Sequence, residues 1–239
     1  MSLWAIIAVA GVAVLIGAVV QGMIGLGVAL VASPVIILLD AELMPGAMIL
    51  CGAALPIMTL VTEHDDIDWR GLGWAFPWRF VGTAIGGWLV AAASADALGL
   101  MVGVFVLVAV GLSMISWRPR PSPVALSIGA LVSGIGGTAT SIGGPPMALV
   151  YQHQRPSMLR STLAFYFLVS STISLVALSL YGQLGWHQVR AGLLLLPFVV
   201  AGFIGSLYLR RRLDTDKVRS LVLLVSGVSA VILIVRALL

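Results

Sequence analysis

The chain has 239 residues, of which 60% are apolar and only 9% are charged, and its formal net charge is +4. A soluble domain carries about 25% charged residues, so this chain lacks the polar surface that would keep it dissolved in water. The composition therefore excludes a soluble globular protein and predicts an all-α polytopic membrane protein. Seven apolar runs approach or exceed the roughly 20 residues that cross a bilayer: 3–20, 44–61, 71–93, 97–116, 157–181, 189–209 and 218–235.

The first element in chain order, residues 3–39, is predicted to be a broken helix. As one helix it would be about 55 Å long, nearly twice the hydrocarbon thickness. Its centre, Gln21-Gly-Met-Ile-Gly-Leu-Gly27, contains three glycines, each of which weakens a helix by about 1 kcal/mol relative to alanine. We therefore predict a re-entrant helical hairpin that enters and leaves the membrane on one side, followed by three full spans.

A proline-rich linker, residues 118–123, divides the chain into two similar units. Proline prevents a helix from continuing, so residues 1–117 and 124–239 are predicted to be separate transmembrane repeats. The second repeat is predicted to open with a hairpin broken along Ser133-Gly-Ile-Gly-Gly-Thr-Ala-Thr-Ser-Ile-Gly-Gly-Pro-Pro146. The helical pieces left on either side of that stretch would be too short to span alone.

Glycines and prolines recur in the two units in the same order. An offset of 112 residues aligns the two glycine-rich breaks, and an offset of 120 aligns later spans. The matched pairs are Gly17–Gly25 with Gly129–Gly137, Pro34 with Pro146, Pro77 with Pro197, and Gly82 with Gly202. These ordered matches indicate a duplication.

The basic residues predict how the repeats are oriented. If each repeat opens with a hairpin, eleven of the 13 basic residues fall on one membrane face, and only Arg190 and Arg236 fall on the other. This is a positive-inside pattern. It predicts two inverted repeats with both termini in the periplasm.

Both breaks are candidate binding sites for a small anion near the membrane midplane. A helix broken in lipid exposes backbone groups that protein, water or a ligand must satisfy, and N–H groups at a helix start favour anions. Paired broken helices of this kind recur in secondary transporters, although glycines can also serve only close helix packing. The predicted substrate-binding residues are Gly22, Gly25, Gly27, Ser33, Ser133, Gly134, Gly136, Gly137, Thr138, Thr140, Ser141 and Gly144.

Three arginines, Arg79, Arg155 and Arg160, are predicted to guide the anion. Arg79 lies about two turns into a span, where a charge is costly and marks a functional site. It could instead extend to the interface beside Trp78. Arg155 and Arg160 flank the end of the second hairpin, where membrane orientation alone also explains them.

The remaining polar residues predict no further chemistry. The hydroxyl residues of 161–174 could line a polar pathway, but are expected to bond to helix carbonyls, and the acidic loop Glu63–Asp68 is expected to be solvated. Dispersed histidines and one cysteine predict no metal site or cofactor, and no nucleophile–base pair predicts an enzyme. No nucleic-acid partner is expected.

All nine acids lie in loops or at span ends, so no residue is evident that would couple transport to protons. The sequence leaves open which ion, H⁺ or Na⁺, is coupled to transport, and whether the protein forms a homodimer.

With these motifs, the chain resembles the sulfite exporter TauE/SafE family, also called toluene-sulfonate uptake permeases. The resemblance covers nearly the whole length and rests on the paired motifs Gly22–Gly27, Gly134–Gly137 and Gly143–Pro146. It implies a secondary transporter of sulfite, sulfonates or related sulfur-containing anions in a bacterial inner membrane. The residues by themselves also fit a passive anion channel or a non-transporting membrane scaffold, and leave the anion and the direction of transport open.

Overall fold

The computed structural model describes residues 3–24, 28–114, 121–209, 212 and 215–238. Within these ranges the chain is helical and contains no strand. The helices are α1 (Leu3–Ile24), α2 (Val28–Leu39), α3 (Gly46–Gly52), α4 (Ala54–Thr62), α5 (Trp69–Ala92), α6 (Ala95–Met114), α7 (Pro123–Thr140), α8 (Gly144–Tyr151), α9 (Pro156–Leu180), α10 (Trp186–Leu209) and α11 (Thr215–Leu238), with a 3-10 turn at Ala41–Leu43.

Six of these helices, α1, α6, α7, α9, α10 and α11, are long and apolar enough to cross a membrane. Large apolar side chains also cover the outer surface, among them Trp88, Val104, Leu193 and Leu224. Helices that are apolar on all sides suit a lipid environment. The predicted fold class, an all-α polytopic membrane protein, is confirmed.

The two opening hairpins are each made of one long and one short helix that pack together. In the first, α1 is described to Ile24 and α2 from Val28, and residues 25–27, on which the predicted interruption falls, lie outside the described part of the chain, so that interruption stays a prediction. In the second, the predicted breaking stretch of 133–146 is wrong in extent, because α7 continues to Thr140 and only residues 141–143 are non-helical. At 18 residues, α7 is about 27 Å long, so its piece of the hairpin is not too short to cross most of the hydrocarbon core.

Close packing explains why the glycines of α7 remain helical. A Cβ on Gly134 would lie 2.8 Å from the Gly82 Cα of α5, so the two backbones touch as small residues allow in membranes. This contact offsets the weak helix propensity of glycine. The helix ends where Ser141 adopts a left-handed conformation with φ of +64°, a common helix terminator.

The described helix bounds pair the two units at a second offset. Ile24 and Thr140, the last described residues of α1 and α7, are 116 positions apart, as are Val28 and Gly144, the first described residues of α2 and α8. Because residues 25–27 lie outside the described chain, the offset of 112 stays a prediction beside the offset of 116, and glycines spaced along both helices match in more than one register.

The two units pack against each other reciprocally. Helix α5 packs on α7, α10 packs on α1, and α6 packs on α11. A Cβ on Gly82 would overlap the Leu131 carbonyl, and a Cβ on Gly202 would crowd the Leu15 carbonyl. Since Leu15 and Leu131 are also 116 positions apart, equivalent residues make equivalent contacts, which supports a duplication. The inverted orientation and the boundary at 118–123 stay predictions, and residues 118–120 lie outside the described ranges.

Candidate functional site

A cavity of about 110 Å³ lies between the end of α1, the start of α2 and the α7–α8 break. Its walls come from the last turn of α1 and the start of α2, from the α3–α4 junction, from the α7–α8 break, and from α5 and α9. The polar and small lining residues are Gln21, Gly52, Arg79, Gly137, Ser141, Gly143, Gly144, Ser170, Ser171 and Ser174, and the apolar ones include Val28, Ala29, Leu30, Met48, Ile49, Pro56, Ile142, Pro145 and Phe167.

Arg79 of α5 is the charged residue in this wall. Its side chain is only 2% exposed, so it does not extend to the interface, which was the alternative that the sequence left open. One terminal nitrogen, Nη1, donates to the Ser133 carbonyl. The other, Nη2, donates to Ser174 Oγ at 2.6 Å and to the Ser170 carbonyl at 3.3 Å. The guanidinium is therefore held between α7 and α9.

The charge of Arg79 has no carboxylate partner among the described residues. The ion pairs found there are His64–Asp65, Arg160–Glu63 and His187–Asp40, and none of them involves a cavity residue. Two buried polar atoms of the cavity residues also lack a hydrogen bond, Arg79 Nε and Ser170 Oγ. The site thus holds a buried positive charge together with unused hydrogen-bonding groups, which is costly unless an anion satisfies them.

Hydroxyl groups behind the guanidinium join three helices. Ser174 Oγ of α9 lies 2.7 Å from Thr138 Oγ1 of α7, which in turn donates to Thr83 Oγ1 of α5 at 3.4 Å. A Cβ on Gly137 would lie 2.8 Å from Arg79 Nη1. The glycine therefore leaves room for the guanidinium, and the hydroxyls hold it in place.

A protein-family model for the sulfite exporter TauE/SafE matches residues 9–233. The chain belongs to the TauE/SafE family. The resemblance inferred from the sequence motifs is thereby confirmed, and with it membership of a transporter family whose members are multi-pass membrane proteins. Searches of curated proteins and of solved structures return no match.

Several predicted residues of this TauE/SafE protein close the end of α7 rather than line the cavity. Thr140 Oγ1 donates to the Gly136 carbonyl at 2.7 Å, and Ser33 Oγ of α2 donates to the Thr140 carbonyl at 3.4 Å. Ser141, which does line the cavity, donates from Oγ to the Pro45 carbonyl at 3.0 Å. These bonds satisfy carbonyls at the helix end and attach the second break to the first unit.

Other predicted glycines lie in helix–helix contacts. Gly22 faces Ser206 of α10, Gly134 faces Gly82, and a Cβ on Gly136 would lie within 2.6 Å of the Phe105 ring. For these three positions the structure shows the packing role that the sequence left as an alternative. Of the predicted glycines, Gly137 and Gly144 line the cavity. Gly25 and Gly27 lie outside the described residues.

The predicted guiding arginines Arg155 and Arg160 of the TauE/SafE protein are exposed and lie outside the cavity wall. Arg160 pairs with Glu63. The acidic loop Glu63–Asp68 was predicted to be solvated, but it also contacts the second half of the chain. Tyr151 donates to Asp68 Oδ2 at 3.0 Å, and Ser157 donates to Asp66 Oδ2 at 2.9 Å.

Sequence reasoning missed two groups of cavity residues. Gln21 lies within the predicted glycine-rich break but is not among the predicted binding residues; its Oε1 accepts the Val28 N–H at 3.0 Å and so caps α2. A polar side chain directly before a helix break was the available signal. Ser170 and Ser174 were considered but assigned to helix carbonyls, because spacing alone does not distinguish them from Thr172, which does bond to the Leu168 carbonyl.

Proposed function

We propose that this protein is a secondary transporter that moves small sulfur-containing anions, such as sulfite or sulfonates, across the bacterial inner membrane. Family membership supports the substrate class. The observation that carries the location of the site is Arg79, which is buried and has no carboxylate partner in the described ranges. It lies in the wall of a cavity that is also lined by residues of α1 and α2 and by the α7–α8 break.

An oxyanion would satisfy polar groups of this site. A guanidinium binds oxyanions through charge-assisted hydrogen bonds from a planar set of donors, and Arg79 Nε makes no hydrogen bond of good geometry with the described residues, although Tyr166 lies close to the guanidinium. The hydroxyls of Ser170 and Ser171 line the same cavity and would add neutral donors. The start of α2 at Val28 contributes the partial positive charge of a helix N-terminus.

At α8 the contribution of the helix start is smaller than the sequence predicted. Two of its first three residues, Pro145 and Pro146, have no N–H to donate. Gly144 is the residue of that turn that can donate, so the anion site depends on the arginine more than on the helix terminus.

The cavity argues against the two other candidate functions. A membrane scaffold gains nothing from a buried charge without a carboxylate partner that faces a cavity. A passive channel needs a continuous pathway, whereas the wall of this cavity includes the short helices α2, α3, α4 and α8, and discontinuous helices at the binding site are typical of alternating-access carriers. The lining residues include no carboxylate or histidine, which favours facilitated diffusion or exchange over proton coupling through a side chain. Coupling to Na⁺ remains a candidate.

The inverted arrangement, the midplane position of the cavity and the periplasmic termini belong to the same proposal. Reporter fusions at Met1 and Leu239 test it, because both ends should report a periplasmic location. Cytoplasmic signals from both ends would overturn the predicted orientation. One periplasmic and one cytoplasmic end would overturn the prediction that each repeat crosses the membrane an odd number of times, on which the inversion rests.

The transport proposal is tested by counterflow of labelled sulfite in proteoliposomes. The wild-type protein should show saturable counterflow that sulfonates inhibit, and Arg79→Met should lose it. Arg190→Met, at an exposed position of α10, is the matched control and should retain it. Flux without counterflow would indicate a channel, and flux no greater than that of protein-free liposomes would indicate a scaffold.

A further inference from the structure

Among the described residues, the cavity wall contains one positive charge and no second cation to accompany it. Arg79 is the charged residue of the lining set. Two titratable groups lie beside the wall: Tyr166 of α9, which interacts electrostatically with the guanidinium, and Cys51 of α3, which precedes the lining residue Gly52 and whose thiol donates to the Met48 carbonyl. Both types of side chain are ordinarily neutral near pH 7. The pairs His187–Asp40 and Arg160–Glu63 lie among exposed residues, outside the lining.

Two prolines add backbone acceptors to the wall. Pro34 of α2 and Pro56 of α4 lack an N–H, so the carbonyls four residues earlier, at Leu30 and Gly52, have no helical i+4 donor. Both Leu30 and Gly52 line the cavity. Carbonyl oxygens accept hydrogen bonds from a protonated ligand and repel additional negative charge.

Apart from Arg79, the described wall carries no charged side chain: the hydroxyls of Ser141, Ser170, Ser171 and Ser174 and the amide of Gln21 are neutral, and the other side chains are apolar. Met48, Ile49 and Phe167 line the cavity and offer nothing to a second negative charge. A charge that is buried without a partner is strongly unfavourable, so a doubly charged anion would leave one charge unmatched after Arg79 had neutralised the other.

We infer that the cavity selects singly charged oxyanions over doubly charged ones and takes sulfite as hydrogensulfite, an inference that rests on the proposed function. The substrate then carries its own proton. Each hydrogensulfite ion forms from sulfite and a proton in the water on one side, crosses with the proton still bound, and can release it on the other side. Transport of sulfite would therefore depend on pH although the lining residues contain no carboxylate.

Competition in proteoliposomes that contain the full chain tests the selection. The probes are methanesulfonate, which stays singly charged, sulfate, which stays doubly charged near neutral pH, and sulfite below and above the pH at which hydrogensulfite ionises. Methanesulfonate should inhibit counterflow equally at each pH. Sulfate should bind at least about 100-fold more weakly, as expected for one unpaired buried charge. The total sulfite concentration for half-maximal flux should rise with pH, in proportion to the loss of hydrogensulfite.

A charge added to the wall provides an independent test. Ser171→Lys places a second cation beside the cavity and should reduce the difference in binding affinity between methanesulfonate and sulfate by at least about tenfold. Ser171→Met adds bulk without charge and should leave that difference in affinity unchanged.

Two results overturn the inference while leaving the transporter in place: inhibition by sulfate as strong as that by methanesulfonate, or a half-maximal sulfite concentration that does not change with pH. The proposed function itself would be overturned by either of two other results: no saturable flux of any of the anions, or anion flux that Arg79→Met leaves unchanged.

Discussion

Replacing Arg79 with methionine should change the stability of the empty protein and of the ligand-bound protein in opposite directions. Methionine keeps an unbranched apolar stem and removes the guanidinium. Arg79 is 2% exposed and donates hydrogen bonds to Ser133, Ser170 and Ser174. Those acceptors are neutral, so they offset the desolvation of the charge only in part.

The magnitudes follow from that environment. Replacing a buried charge by an apolar residue of similar volume is often neutral or stabilising by about 1–4 kcal/mol, so the empty variant should unfold at or above the wild-type temperature. Ligand binding by the variant lacks the hydrogen bonds that the charged guanidinium would donate to the anion, and such bonds contribute about 1.5–3 kcal/mol each. Two such bonds correspond to at least about a 100-fold weaker affinity.

Thermal unfolding of the detergent-solubilised protein, with and without methanesulfonate, measures both effects. At a ligand concentration of about 100 Kd, the wild-type protein should gain about 2.7 kcal/mol, or roughly 5–10 °C for a chain of this size. At that concentration the Arg79→Met variant should gain no more than about 1–2 °C. Arg190→Met is the control, and it should match the wild type in both measurements.

The reasoning would be refuted if the empty variant unfolds several degrees lower and keeps the full ligand-induced shift. Arg79 would then act only as a structural link among α5, α7 and α9. A lower unfolding temperature together with a lost shift would show that the hydrogen bonds outweigh the desolvation cost, which contradicts the predicted sign for the empty protein.

Three further substitutions test the surroundings of the guanidinium. Gly137→Ala adds a Cβ 2.8 Å from Nη1 and should displace this flexible group, so methanesulfonate affinity should fall about tenfold with little change in unfolding temperature; unchanged affinity would contradict the close approach. Ser174→Ala removes an acceptor of Arg79 Nη2 and should weaken methanesulfonate binding by about 1–3 kcal/mol, measured as a smaller ligand-induced shift of the unfolding temperature. Ser226→Ala, at a buried hydroxyl without a hydrogen-bond partner, is the control and should leave binding intact. Gly82→Ala should destabilise the fold by about 1–3 kcal/mol because its Cβ would overlap the α7 backbone. Gly73→Ala, with nothing within 4 Å, should be neutral or stabilising by up to about 1 kcal/mol, and equal effects of these two glycine substitutions would contradict the packing argument.

Much of the fold could be predicted from the sequence because a lipid-spanning helix is recognised by local properties. The run predicted at 157–181 is observed as Pro156–Leu180, and the run at 189–209 is observed as Trp186–Leu209, both among the six helices that can cross a membrane. Length and hydropathy of one segment decide such elements. The family, too, could be recognised from short motifs that each lie within one stretch of chain.

The second break was predicted over too long a range because its glycines were judged by helix propensity alone. Propensity predicts that Gly134 and Gly136 weaken α7. Contacts with Gly82 and Phe105, residues more than 30 positions earlier, keep them helical. The same glycines match between the two units in more than one register, so they do not fix the repeat alignment by themselves.

The sequence by itself determined a membrane-spanning helical chain with two interrupted helices, because charge content and apolar run lengths are properties of single segments. Only the tertiary structure decided what the interruptions and Arg79 do. The choice between a buried arginine and one that extends to the interface depends on whether acceptors surround it. Those acceptors, Ser133 and Ser174, come from helices 54 and 95 positions away along the chain. Their approach to Arg79 depends on packing between the two units, which no local pattern records.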